Sequence, residues 1–255
     1  MTARVLILDL ERIPAWTKSL PVWDLSGLQN RRLGPHEIES WGRTICFAYR
    51  WGLNGPIEFA AEWQEGGREE YLRTAQRVLE EADVLSGHNS ERFDWRHLAG
   101  DLHTELDVVI PQIKHIDTLK LARKHANYEN NQLVSLTQRF GIPTKNDKYR
   151  IEVAMAAVGG CVKSQRRLER YNKGDVKAST GMLKKYLPVS GVNLGLFEDD
   201  PTRPVCSHCT SPKVQRRGFA VKQALRYPRY QCQKCGGWMT GKKALPDGAV
   251  EMRSL

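Results

Sequence analysis

Four short patterns in this chain carry residue types that bind metal ions or move protons. Asp9-Leu10-Glu11 closes an apolar run. Residues i and i+2 of a strand share a face, so both carboxylates can address one ion; alone, such a pair is a common coincidence. Asn89-Ser90-Glu91-Arg92-Phe93-Asp94 leads into a helical stretch, with Leu98 four residues on. Phe93, Trp95 and Leu98 read as anchors to a sheet, leaving Asp94 facing outward, where a carboxylate also suits a helix N-terminus. Tyr171 and Asp175 are spaced i, i+4 and project together from a helix. Gly174 between them costs about 1 kcal/mol relative to Ala, which points to a close approach there. Carboxylate oxygens suit Mg²⁺ or Mn²⁺. The fourth pattern, Cys206-x-x-Cys209 and Cys232-x-x-Cys235, has 22 residues between its halves. Two such knuckles make a tetrahedral Cys₄ site for one Zn²⁺, structural because four thiolates leave no open position. A redox C-x-x-C is disfavoured by the two copies and by the lack of a βαβ pattern around them. His208, inside the first knuckle, reads as a bystander.

Elements must hold these residues in place, and 255 residues suit one domain plus a small module. Residues 4–10 read as a buried strand. Residues 43–51 and 56–62 read as a hairpin joined by Gly-Leu-Asn-Gly. Tyr71, Leu72, Ala75, Val78 and Leu79 place a helix over 68–82. A short strand, Val84 to Ser86, precedes the Asn89–Asp94 turn. A strand or turn and then a helix recur over 112–125, and helical patterns continue at 131–140, 151–158 and 164–187. Strands first, then strands alternating with helices, give an α/β fold with a mixed sheet. The expected division is a body over 1–188, a Pro/Gly-rich linker over 189–204, and a zinc ribbon with its tail over 205–255. Residues 12–42, with Trp16, Trp23 and Trp41, read as one long loop; such loops are usually functional or disordered. Cys46 and Cys161 stand in apolar surroundings and read as core.

Thirty-nine Lys+Arg against 29 Asp+Glu leave a net charge of +10. That balance favours a polyanionic partner through released counterions, or belongs simply to a soluble basic protein. Mean hydropathy is −0.52, no stretch approaches the ~20 apolar residues of a membrane span, and the run Val5–Leu8 is too short for a signal peptide. The expectation is a cytoplasmic protein with no membrane partner. Arg166, Arg167, Arg170 and Lys173 lie on or beside the Tyr171 helix and either contact phosphates of an entering strand or face solvent. From Cys206 to Lys243 there is no acidic residue, while Arg216, Arg217, Lys222, Arg226 and Arg229 are interleaved with Phe219, Tyr227, Tyr230 and Trp238. Cations for phosphates and rings for bases make a platform for a single strand; a protein-binding ribbon is the alternative.

Taken in chain order, Asp9-Leu10-Glu11, Asn89 to Asp94 and Tyr171 to Asp175 resemble the DEDD exonucleases of the RNase H-like superfamily, in the tyrosine (DEDDy) version. Ile116-Asp117-Thr118-Leu119 and Leu133–Gly141 look like that family's D-T-L segment, whose Asp is structural, and its following helix. The stretch IESWGRTICFAYRW is similar to phage and bacterial DnaQ-like exonucleases. The resemblance spans about residues 3–188. It implies an RNase H-like mixed β-sheet flanked by helices, and 3′→5′ hydrolysis of phosphodiesters at nucleic acid 3′ ends, single-stranded DNA favoured. Two Mg²⁺ or Mn²⁺ ions about 3.5–4 Å apart would clamp the attacking and leaving oxygens. By resemblance, Asp9 bridges both ions, Glu11 and Asp175 hold the one presenting water, and Asp94 completes the shell on the leaving-group side. Tyr171, whose ordinary pKa near 10 makes it a poor base, orients the water. Asn89 fixes its turn and contacts nucleic acid. The alternatives are an exoribonuclease and a non-catalytic nucleic-acid-binding adaptor. A polymerase or replication protein is an expected partner, and the host's cytoplasm the location if a phage encodes the chain.

Overall fold

A computed structural model of the chain describes residues 3–18, 21–23, 35–143, 147–198, 205–222 and 225–245. It divides into two compact units, Arg4–Leu183 and Lys184–Leu255, the latter together with Met1–Ala3. In the larger unit, β1 (Val5–Ile13) is followed by β2 (Ala15–Thr17), β3 (Pro21–Val22) and β4 (Ile38–Ser40). Then come β5 (Arg43–Trp51), β6 (Glu58–Ala61), α1 (Gly67–Glu80), β7 (Val84–Gly87) and α2 (Asp94–Leu106). The unit is completed by β8 (Lys114–Asp117), α3 (Thr118–His125), α4 (Leu133–Arg139) and α5 (Ile151–Val158), and by the greater part of α6 (Val162–Tyr186).

The main sheet has the order β6-β5-β1-β7-β8. β5 runs antiparallel to β1 and β6, while β7 and β8 run parallel to β1, so the sheet is mixed, as expected. β1 is central, and its Leu6, Ile7 and Leu8 are all buried. A run without alternation is what a strand covered on both faces requires. Tyr71, Leu72, Ala75, Val78 and Leu79 of α1 and Leu98 and Leu102 of α2 pack on Leu6, Leu8, Leu10 and Phe47. Each fully buried aliphatic side chain there contributes about 1.5–3 kcal/mol. A second cluster joins Ala154 and Ala157 of α5 and Leu168 of α6 to Ile13, Ile45 and Cys46. Both clusters hold β1 rigid at the point where its carboxylates emerge.

Two expectations need correction. Residues 12–42 are not one loop: β2, β3 and β4 form a small sheet of order β3-β2-β4, with residues 24–34 outside the described set. Gly42 lets the chain return against β2, since a Cβ there would lie 2.8 Å from the Ala15 nitrogen. Cys46 is buried, but Cys161 is exposed beyond the Gly159-Gly160 turn that ends α5.

The smaller unit contains β9 (Val214–Lys222), β10 (Leu225–Cys232) and β11 (Trp238–Thr240), an antiparallel sheet of order β11-β10-β9. Part of the expected linker is ordered. Two 3₁₀ turns, Leu187–Val189 and Leu194–Phe197, precede the knuckle, and the Leu194 N–H donates to the Ser207 carbonyl at 2.7 Å. Residues 199–204 lie outside the described residues. No described helix is long and apolar enough to cross a membrane.

Candidate active site

Asp9 and Glu11 emerge near the C-terminal end of β1, and Asp175 stands one turn beyond Tyr171 on α6. A carboxylate oxygen from each lies within 4.8 Å of the other two. The register shift between Glu11 and Arg12 comes immediately after this pair, the kind of irregularity that re-aims side chains beside sites. Asn172, fully buried, joins the two elements: its Nδ2 donates to the Asp9 carbonyl at 3.0 Å and to Asp9 Oδ2 at 2.7 Å. Sequence reading passed over this residue. The signal for it was an amide in the apolar i+4 stripe of α6, between the buried Leu168 and Val176.

Asp94 is turned inward, contrary to expectation. It is buried and accepts the Leu10 N–H at 3.0 Å, which ties the start of α2 to β1 between the other two carboxylates. A buried backbone donor needs an acceptor, and this carboxylate reaches it only from inside. Asp94 stands outside the tight trio. Phe93, expected as an anchor, is 37% exposed and lies edge-on to His97 at 4.7 Å; the anchors are Leu98, fully buried, and Trp95, packed against the same core.

Burial is the main cause that lifts Asp9 well above the usual carboxylate range, followed by the charges of Asp94, Asp175 and Glu11; the Asn172 hydrogen bond works against them. Burial likewise pushes Asp94 up to about 7, against the stabilising Leu10 N–H. A low-dielectric cluster of like charges favours a proton or a cation. All donors are carboxylate oxygens, which fits a hard divalent ion such as Mg²⁺ or Mn²⁺. Burial and the charges of Asp175, Glu11 and Asp9 also raise the Tyr171 phenol above its ordinary value, so it stays protonated at neutral pH.

Asp9 and Asp175 of the trio open on a cleft of about 780 Å³, lined also by Tyr171, Gly174, Leu133, Val134 and Tyr149. Tyr149 is held by a hydrogen bond from its hydroxyl to the Arg12 carbonyl at 2.7 Å. Asn89 lines a neighbouring cleft of about 440 Å³, which shares His88, Gln132 and Leu133 with the first. Its φ of 72° shapes the turn. Asp117 accepts from the N–H groups of Asn89 at 3.0 Å and Glu91 at 3.3 Å, and caps α3 through Leu119 and Lys120. That makes it a structural carboxylate. His88 spans Thr118 Oγ1 and the Asn131 carbonyl, each at 2.9 Å. On α6, Arg167 is engaged by Asp147 in a two-pronged ion pair (3.0 and 2.5 Å), and Lys173 by Glu169 at 2.6 Å. Arg166 and Arg170 are exposed.

In the smaller unit the sulfurs of Cys206, Cys209, Cys232 and Cys235 lie within 4.8 Å of one another. Cys206–Cys235 and Cys209–Cys232 are each 3.7 Å apart. A tetrahedron with Zn–S bonds of about 2.3 Å has edges of about 3.8 Å, so the four thiols fit Zn²⁺. Burial raises the Cys232 thiol, but N–H groups of Cys235 and Lys234 outweigh it and bring Cys232 down to about 7. His208 stands outside this group of four: its Nε2 pairs with the Trp238 carbonyl at 3.1 Å, and its ring fills the space a Cβ at Gly237 would need. Arg216, Arg217 and Lys222 lie on β9, and Arg226 and Arg229 on β10.

No protein-family model matches the chain, and no curated protein matches it. Among solved structures it is similar to the family B DNA polymerase from the hyperthermophilic archaeon Pyrobaculum calidifontis, with a TM-score of 0.52 and 18% identity. The match covers 74% of this chain and 25% of the polymerase, so the chain spans about a quarter of that protein. At this identity the likeness is one of fold.

Proposed function

We propose that the chain is a metal-dependent 3′→5′ exonuclease of the DEDDy type, with residues 1–188 as nuclease body, 189–204 as linker and 205–255 as a nucleic-acid-binding zinc ribbon. The observation that carries this is the meeting of Asp9, Glu11 and Asp175 within 4.8 Å, with Tyr171 lining the same cleft. A purely binding module has no use for crowded carboxylates that repel one another. The similarity to a DNA polymerase fold agrees with a nucleic acid substrate; the direction of digestion and the preference for single-stranded DNA follow from the motif resemblance.

Asp9, Glu11 and Asp175 would hold Mg²⁺ or Mn²⁺, with Asp94 contributing charge from the α2 side. The bound ions would supply Lewis acidity toward the phosphoryl oxygens and lower the pKa of the attacking water. Asn172 fixes the Asp9 carboxylate. Tyr171, kept as a phenol, orients the water by hydrogen bond rather than removing its proton. Leu133, Val134 and Tyr149 give the terminal nucleotide an apolar wall. Four Cys hold one structural Zn²⁺. A polymerase or replication protein is a partner of the same reading.

The test uses 5′-labelled single-stranded DNA and RNA with Mg²⁺ or Mn²⁺, comparing wild type with Asp9→Ala. A metal-dependent ladder shortening from the 3′ end, absent in the variant, is expected with DNA. Faster cleavage of RNA would make the chain an exoribonuclease, and no cleavage of either would overturn the nuclease assignment.

A further inference from the structure

Strand register divides the ribbon's side chains between two faces. Tyr227 stands opposite Ala220, Arg229 opposite Thr240, and Gln231 opposite Trp238, and directly opposed residues share a face. The alternate positions place Arg226 opposite Val221, Tyr230 opposite Arg216 and Met239, and Cys232 at the end of that second face. The second face adjoins the zinc knuckle, where Met239 Sδ accepts the Ser207 N–H at 3.2 Å. It also carries one cation–ring pair, the Arg226 guanidinium 5.2 Å from the centre of the Phe219 ring. On the first face there are two: the Arg229 guanidinium lies 4.8 Å from the centre of the Trp238 ring, and the Lys222 ammonium 5.8 Å from that of Tyr227. Trp238 is half exposed beside its cation.

We propose that this first face docks a single strand of DNA, its bases stacking on Trp238 and Tyr227 and its phosphates meeting Arg229 and Lys222. The proposal rests on the ribbon half of the reading above and deepens it, because it removes Arg216 and Arg226 from the contact set. Charge complementarity supports a polyanion: the sequence from Cys206 to Lys243 holds nine basic residues and no acidic one. Rings that alternate with cations match the alternation of bases and phosphates in an unpaired strand. Two polar side chains of the face are engaged internally, Thr240 Oγ1 accepting from the Lys222 ammonium and Gln215 Oε1 from the Gln233 side-chain amide. The exposed rings and cations of the face suit bases and phosphates.

The test measures anisotropy of labelled oligothymidylate on the full zinc-loaded chain, with Mg²⁺ and Mn²⁺ withheld so that no cleavage enters the readout. Trp238→Ala and Tyr227→Ala should each weaken binding by about 5- to 150-fold, the measured range for losing one base stack. Trp238→Phe should restore most of the loss, and Arg229→Gln should flatten the salt slope by about 0.7. Phe219→Ala and Arg226→Gln should leave affinity unchanged, and zinc content should stay at one per chain throughout. If the second-face variants weaken binding and the first-face variants do not, the ribbon still binds DNA but the face is wrong. If none of them changes binding, the ribbon half of the reading falls as well. Duplex or RNA bound as tightly as single-stranded DNA would overturn the assigned partner. None of these outcomes depends on whether the body cleaves.

Discussion

Replacing Asp94 by Asn should make the zinc-bound protein more stable at pH 8 when Mg²⁺ and Mn²⁺ are withheld. Asp94 is buried, and its carboxyl is raised from 3.8 to about 7. A folded-state pKa above the unfolded one means that the folded state binds the extra proton. Its stabilising effect is therefore complete below about pH 4 and is lost as pH rises toward 7. At about 1.36 kcal/mol per unit, the ionised Asp94 costs the folded body up to about 4 kcal/mol at pH 8. Asn keeps an oxygen for the Leu10 N–H, now 3.0 Å from Asp94 Oδ1, and carries no charge. Urea unfolding of both zinc-bound proteins in buffer without Mg²⁺ or Mn²⁺, followed by tryptophan fluorescence, measures the difference at pH 4, 6 and 8. It should be near zero at the lowest pH and grow through the next two. Adding Mn²⁺ should then favour the wild type, since an ion at 100 times its Kd adds about 2.7 kcal/mol to whichever protein binds it. An Asn variant less stable than wild type at pH 8 without metal, or a difference independent of pH, would refute the electrostatic account.

Asn172→Leu, nearly isosteric in a buried position, should lower Mn²⁺ affinity by about 10–100-fold, as loss of a ligand's hydrogen-bonding partner does. Calorimetric titration checks this, and unchanged affinity would make Asn172 a packing residue only. Tyr171→Phe should slow cleavage by about 10²-fold, the loss of one oriented donor. Because the phenol is pushed upward, the variant should keep the wild-type pH profile up to about pH 10. A wild-type alkaline limb absent from the variant would instead make Tyr171 a base. Withdrawal of zinc should expose the amides of β9, β10 and β11 to hydrogen exchange while those of β1 and β5 stay protected; loss of protection in both units would contradict independent folding.

The legible parts of the site were those written in periodicity and spacing. β5 and α5 have the bounds expected of them, and α1 lies within a residue or two of its own, because in each case the apolar pattern and a Gly or Pro boundary agree. Asp9 and Glu11 share a strand and Tyr171 and Asp175 a helical turn, so each pair could be placed from its own element. The two-residue Pro21–Val22 and three-residue Ala15–Thr17 are too short for any period to register, and their sheet was read as loop. Asp94 was placed on the wrong side of its helix for a different reason. Its partner is the Leu10 N–H, 84 residues away, and sequence reading has no means of counting a backbone donor left over at the end of a distant strand. Asn172 is invisible in the same way, since its meaning comes from Asp9 and not from its neighbours. Both residues bind across elements and both act on charge. The electrostatics that distinguish a metal site from four unrelated carboxylates arise only when β1, α2 and α6 are packed together.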